Sequence, residues 1–209
     1  MKQEQIFIYV VCITILFTGG LPEDWRERAN ILADFIVVTW GISAFNVMVG
    51  GTLNHLGIRP RDPSGIFSIG LAPFLHGDGN HLFGNTLPFI ILGWLVLLQG
   101  ITQFYIVTII VAIASGLGVW LFGKPDSIHL GASGVVFGYL GFLLLYGYFK
   151  RDTTTSVISL FVGIFYSQSL LGILPAQKGI SWEGHLFGLL GGFLAAAWLP
   201  ALERLVPVG

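Results

Sequence analysis

Gly131-Ala132-Ser133-Gly134-Val135-Val136-Phe137-Gly138-Tyr139-Leu140-Gly141 opens an apolar stretch that runs to Phe149, and a second begins at Gly184-His185-Leu186-Phe187-Gly188. Crossing the hydrocarbon core takes roughly 20 apolar residues, with a range of about 17–25, and both stretches approach that length. Each begins with one polar side chain set among glycines. Such a side chain in hydrocarbon is costly unless it meets a partner or faces water. Gly134, Gly138 and Gly141 fall at i, i+4 and i+7, and Gly188 and Gly192 repeat at i, i+4 with Gly184 one turn earlier. As helices, both segments therefore carry a flat face, and two flat faces allow close backbone approach. That approach would bring Ser133 to His185. Glycine faces are also ordinary helix-packing surfaces, so the spacing alone leaves both readings open.

Composition sets the class. Of 209 residues, 54% are hydrophobic and only 10% charged, with mean hydropathy +0.81, against about 25% charged in a soluble domain. The expected fold is all-α, a polytopic transmembrane helical bundle whose surface faces the lipid bilayer. A formal net charge of −1 offers no basic footprint for nucleic acid. Cys12 stands alone, which excludes an internal disulfide and a cysteine metal cluster.

Seven apolar segments emerge, at Ile6–Phe17, Ile31–Gly51, His81–Leu98, Phe104–Phe122, Ala132–Phe149, Val157–Leu174 and Gly184–Leu199. The first is short and reads as a signal-type region, an interfacial helix or a tilted extra span, with the span slightly favoured. The expected organisation is an N-terminal hydrophobic segment and connector (1–30), a six-helix core (31–200) and a short tail (201–209). Between the second and third segments lies Thr52–Asn80, and a connection this long is usually functional or disordered. Its Phe67, Ile69, Leu71, Phe74 and Leu75 predict packing on the bundle or a dip into the interface. Lysine and arginine in short loops bias orientation. Arg26, Arg28, Lys150, Arg151 and Arg204 fall on one side, and Arg59, Arg61, Lys124 and Lys178 on the other. This narrow majority places Lys150-Arg151 in the cytoplasm and Ser133 and His185 toward the outer face. Ser133 then lies roughly 25 Å of helix from Lys150 at about 1.5 Å per residue, somewhat below the outer surface.

A serine hydroxyl becomes a nucleophile when an adjacent base takes its proton, and His185 is the candidate base. Ser133 starts a helix, where unpaired N–H groups and the dipole favour developing negative charge. Taken alone it reads equally as an N-cap or a small packing residue. His81 and Asn85 share a helix face and both can donate hydrogen bonds, as an oxyanion hole requires. His76 sits just before them. Polar groups satisfying a helix start explain His76 and Asp78, but Asn85 lies a full turn inside the span. Zinc hydrolysis lacks its H-E-x-x-H helix. Asp34 is the only carboxylate well inside a span, so an aspartyl pair is missing. No metal or other cofactor is expected.

These three separated motifs, Gly131-Ala132-Ser133-Gly134, His76/His81/Asn85 and Gly184-His185-Leu186-Phe187-Gly188, resemble the rhomboid family of intramembrane serine proteases over roughly residues 31–200. The resemblance implies a six-helix core in which Ser133 attacks a peptide carbonyl with His185 as base and no aspartate third member. His81, Asn85 and a backbone N–H would hold the oxyanion, with His76 near that site. Transmembrane segments of other proteins would be the substrates, in a bacterial plasma membrane. Two departures stand out. Arg59-Pro60-Arg61 occupies the loop where many members carry Trp-Arg. Phe137 stands where a tyrosine often stacks on the histidine, and a phenyl ring can stack equally. Trp182 reads as a lid of the site or an interfacial anchor. Gln168, within Tyr166-Ser167-Gln168-Ser169, reads as lining a substrate entrance or as satisfied packing. Two rival functions exist. A non-cleaving scaffold for membrane clients would usually have lost Ser133 or His185. An ion conductor would spread its polar groups through the membrane depth.

Overall fold

The computed structural model describes residues 22–175 and 180–205, and the Ile6–Phe17 segment lies outside them. Among the described residues seven α-helices follow in order: α1 (Glu23–Met48), α2 (Pro63–Phe67), α3 (Gly79–Leu97), α4 (Ile101–Phe122), α5 (Ser133–Lys150), α6 (Thr153–Tyr166) and α7 (Trp182–Leu205). Six stretches among the described residues are long and apolar enough to cross a membrane, with mean hydropathy from 1.2 to 2.2. They are α1, α3, α4, α5, α6 with its extension to Ile173, and α7 through Ala201. The chain is thus an integral, multi-pass membrane protein with a helical-bundle fold.

The helix boundaries shift by a few residues from the sequence reading, and two of the shifts change the picture. The expected Ile31 start of the first core span moves back to Glu23. Charged Glu23 and Asp24 suit the positive end of a helix, and Arg28 donates to the Leu97 carbonyl at the end of α3 at 2.7 Å. The sixth span is α-helical only to Tyr166 and continues as a 3₁₀ turn over Ser167–Ile173. Aspartates start three helices. Asp62 accepts from the Ser64 N–H at the head of α2. Asp78 accepts from the His81 N–H at the head of α3, and Asp152 accepts from the Thr155 N–H at the head of α6. The N-cap of α5 is Ala132, and Ser133 is its first helical residue. The serine therefore caps nothing.

In lipid no hydrophobic effect pulls helices together, so close packing and hydrogen bonds must do so. Helix α5 is the central post, with Tyr139, Phe142, Leu143 and Tyr146 fully or almost fully buried. Tyr139 is wrapped by Phe89 and Phe104 and shares a hydrogen bond with Thr108 at 2.7 Å. Helix α7 lies against α5 backbone to backbone. A Cβ on Gly188 or Gly192 would collide with the Gly134 or Gly138 carbonyl, and one on Gly141 with that of Leu189. The glycine registers thus form one seam. Helix α6 is peripheral, touching α5 where Ser159 Oγ donates to the Leu143 carbonyl and accepts from the Gly147 N–H.

The long connection packs on the bundle through one side only. Ile69 lies on Gly116, Ile58 and Ala72 join Val119 in a small cluster, Leu75 is buried, and Phe74 stacks on Phe35. Phe67 and Leu71 point outward. Arg61 donates to the Leu121 and Gly123 carbonyls at the end of α4, satisfying groups a helix leaves orphaned. Trp120 donates to the Asp62 carbonyl at 2.7 Å.

Candidate active site

Helices α3, α5 and α7 all begin at the same end of the bundle, because α4 and α6 run back between them. That alternation gathers three polar residues at one level: His81 in the first turn of α3, Ser133 at the start of α5 and His185 in the first turn of α7. The α5–α7 glycine seam then closes the gap. His185 Nε2 and Ser133 Oγ stand 2.8 Å apart.

The proton positions follow from the second bond of the ring. His185 Nδ1 lies 2.9 Å from the Gly172 carbonyl, which can only accept, so Nδ1 carries the proton. In the neutral ring Nε2 is then bare and accepts from the Ser133 hydroxyl. An imidazole in this tautomer can take a proton from the alcohol. The Gly172 carbonyl orients the ring from the 3₁₀ turn after α6, where no carboxylate is needed. Phe137, one turn into α5, lies flat under the imidazole with centroids 4.1 Å apart and planes 8° from parallel. A side chain at position 172 would press on both rings, its Cβ 2.9 Å from Phe137 Cζ and 3.3 Å from His185 Nδ1.

On the opposite side of Ser133, the chain enters α5 through Gly131 at φ +117°, a conformation that only glycine adopts cheaply. A Cβ there would also lie 2.6 Å from His81 Nε2 and 3.5 Å from Asn85 Nδ2. His81 and Asn85 therefore crowd the peptide just before the serine. Asn85 is buried, and its Nδ2 has no hydrogen-bond partner. A buried donor left unsatisfied costs roughly 1–3 kcal/mol, and this amide keeps its N–H free beside the peptide that leads into Ser133. His76 sits behind, edge-on to His81 with ring centroids 5.1 Å apart. Both His76 ring nitrogens are buried without a partner. Burial, with the neighbouring His81, lowers its pKa to about 4, and the nearby Phe74 carbonyl and Asp78 offset this in part.

Ser133, His185, His81, Asn85 and Trp182 all line one open cleft of about 790 Å³, together with Asp78, Lys124, His129 and Glu183. Trp182 thus stands at the cleft wall. Phe137 lies beneath the imidazole, and Gln168 is exposed on the 3₁₀ turn, away from the cleft lining. Among the described residues no cluster of three or more His, Cys, Asp or Glu side chains is arranged to hold a metal ion. Two contributors carried little sequence signal. The Gly172 carbonyl is a backbone group, and Ser115, whose hydroxyl donates to the Gly184 carbonyl at 2.9 Å, is one serine among many.

Comparison with known proteins agrees with this architecture. The profile of the Rhomboid domain matches residues 63–201, which spans the cleft and the helices α3 to α7. An uncharacterized protein of Mycobacterium tuberculosis is 38% identical over 188 residues, covering 86% of this chain and 78% of its own length. An uncharacterized protein of Mycobacterium leprae is 35% identical over 188 residues, covering 86% and 74%. YdcA of Bacillus subtilis, named a rhomboid protease only provisionally, is 28% identical over 128 residues, or 57% of this chain and 60% of its own length. With the Rhomboid profile over residues 63–201 and the mycobacterial relatives aligned over 86% of the chain, this protein belongs to the rhomboid family.

Proposed function

We propose that the chain is a serine endopeptidase that hydrolyses peptide bonds in or near transmembrane segments of other membrane proteins. The observation that carries this reading is the 2.8 Å contact of Ser133 Oγ with the unprotonated nitrogen of His185 at the wall of an open cleft. Ser133 Oγ attacks the scissile carbonyl as its proton passes to His185 Nε2. The carbonyl oxygen becomes an oxyanion that accepts from Asn85 Nδ2, His81 and the N–H at the start of α5, where the helix dipole adds its field. Collapse breaks the C–N bond, and the imidazolium gives its proton to the leaving amine. Water, deprotonated by the same imidazole, then attacks the acyl ester and restores Ser133. His76 backs His81, and Trp182 meets the substrate at the mouth.

The boundaries 31–200 delimit the protease core in this reading. The membrane is the bacterial plasma membrane, with the cleft toward its outer face, because Lys150 and Arg151 at the far end of α5 favour the cytoplasm. Cleavage of a reporter transmembrane segment in liposomes tests the proposal. Wild type cuts it, and Ser133→Ala does not while remaining folded. Equal cutting by that variant removes Ser133 as nucleophile. No cutting by well-folded wild type points instead to a scaffold.

A further inference from the structure

A second hydrogen-bonded histidine–serine pair crosses the same two chain segments as Ser133 and His185, four residues before each. His129 Nδ1 and Ser181 Oγ are 2.7 Å apart. His129 precedes Ser133 by the same interval that separates Ser181 from His185. The two bonds are thus successive rungs between the entrance to α5 and the entrance to α7.

The protons on this upper rung can be ordered. Ser127 Oγ donates to the Lys124 carbonyl, so it accepts from His129 Nε2, 2.8 Å away. Burial lowers the His129 pKa, with Glu183 opposing, which favours the neutral ring. With Nε2–H spent on Ser127, Nδ1 is an acceptor and the Ser181 hydroxyl donates to it. Each end of the rung is then tied to a catalytic neighbour. The Ser181 carbonyl accepts from the His185 N–H at 3.2 Å, so movement of Ser181 moves the first turn of α7. The His129 backbone exchanges two hydrogen bonds with Ile58, and the Gly131 N–H donates to Ala72. The approach to Ser133 is therefore held by the long connection on one side and by Ser181 on the other. Neither the mechanism nor the helix packing requires this bond.

We propose that His129 and Ser181 form a positioning clamp that fixes the spacing of the Ser133–His185 pair and couples it to the long connection. The clamp rests on the protease reading for its effect on rate. Both are positioning residues, acting through the backbone next to the reacting groups. Misplacement of reacting groups by about 1 Å can cost on the order of 10²-fold in rate, and loss of one of several restraints should cost part of that.

The test uses the purified full chain in lipid, comparing wild type with His129→Ala, Ser181→Ala, the double variant and His129→Asn, which restores an acceptor for Ser181. In the expected result kcat falls roughly tenfold or more in each alanine variant with KM nearly unchanged. The double variant is no slower than the worse single one, because both remove one bond, and His129→Asn recovers much of the rate. Additive losses, losses that only track melting temperature, or no recovery with asparagine would overturn the clamp. A second measurement keeps the two readings apart. Imidazole ¹⁵N resonances of His185 report its hydrogen bond to Ser133 without turnover. A shift in Ser181→Ala supports the clamp and an unchanged spectrum overturns it, even where wild type cleaves nothing and the protease reading fails.

Discussion

Replacing Gly188 with alanine adds one methyl group, yet the structure assigns it a large effect on chemistry. The new Cβ falls about 1 Å short of a 3.0 Å approach to the Gly134 carbonyl oxygen, with Gly134 C already at 3.0 Å. Both obstacles are backbone, so no side chain can rotate away. The seam between α5 and α7 must open by about 1 Å next to Ser133 and one turn from His185. The 2.8 Å Ser133–His185 contact then stretches to roughly 3.8 Å, outside the range of a hydrogen bond. A displacement of this size costs on the order of 10²-fold in rate, and overpacking costs about 1–3 kcal/mol of stability. The assay is the rate of Ser133 labelling by a fluorophosphonate, read beside thermal unfolding. Gly41→Ala is the control: its Cβ meets nothing within 4 Å, and it should label at the wild-type rate. Normal labelling of Gly188→Ala would refute the reasoning that backbone contact at the seam sets the distance.

Two further outcomes follow from the site. Asn85→Ala should lower kcat by on the order of 10²-fold with little change in KM, as for removal of an oxyanion donor; unchanged kcat takes Asn85 out of that role. His76 gives a pH signature. Its folded pKa of about 4 lies below the ordinary 6.5, so the unfolded chain takes up the proton first. Its contribution to stability is complete above pH 6.5 and lost as pH falls toward 4, on the order of 3 kcal/mol. His76→Asn should flatten the fall in melting temperature across that window, and an equal fall in both proteins contradicts the assignment.

Much of this architecture was legible because membrane helices leave strong traces. Apolar runs located the six core spans, and the registers of Gly134, Gly138, Gly141, Gly188 and Gly192 correctly marked which helices touch. The long connection was harder. Irregular backbone has no period, so nothing distinguished Ile69 and Leu75, which pack inward, from Phe67 and Leu71, which face out. The end of α6 at Tyr166 is followed by Ser167-Gln168-Ser169, with no proline or glycine there to announce it. The Gly172 carbonyl that orients His185 was invisible because any residue supplies a carbonyl. The offset shared by His129 and Ser181 was present in the sequence, but it acquires meaning only once α5 and α7 are known to start at one level.

The central claim is that Ser133 is a nucleophile made reactive by the bare nitrogen of His185. Mass-spectrometric mapping of the fluorophosphonate adduct on folded protein tests it most directly. The account predicts a single adduct on Ser133 in wild type and none in His185→Ala. An adduct on another residue, or equal modification of Ser133 without the histidine, would contradict it.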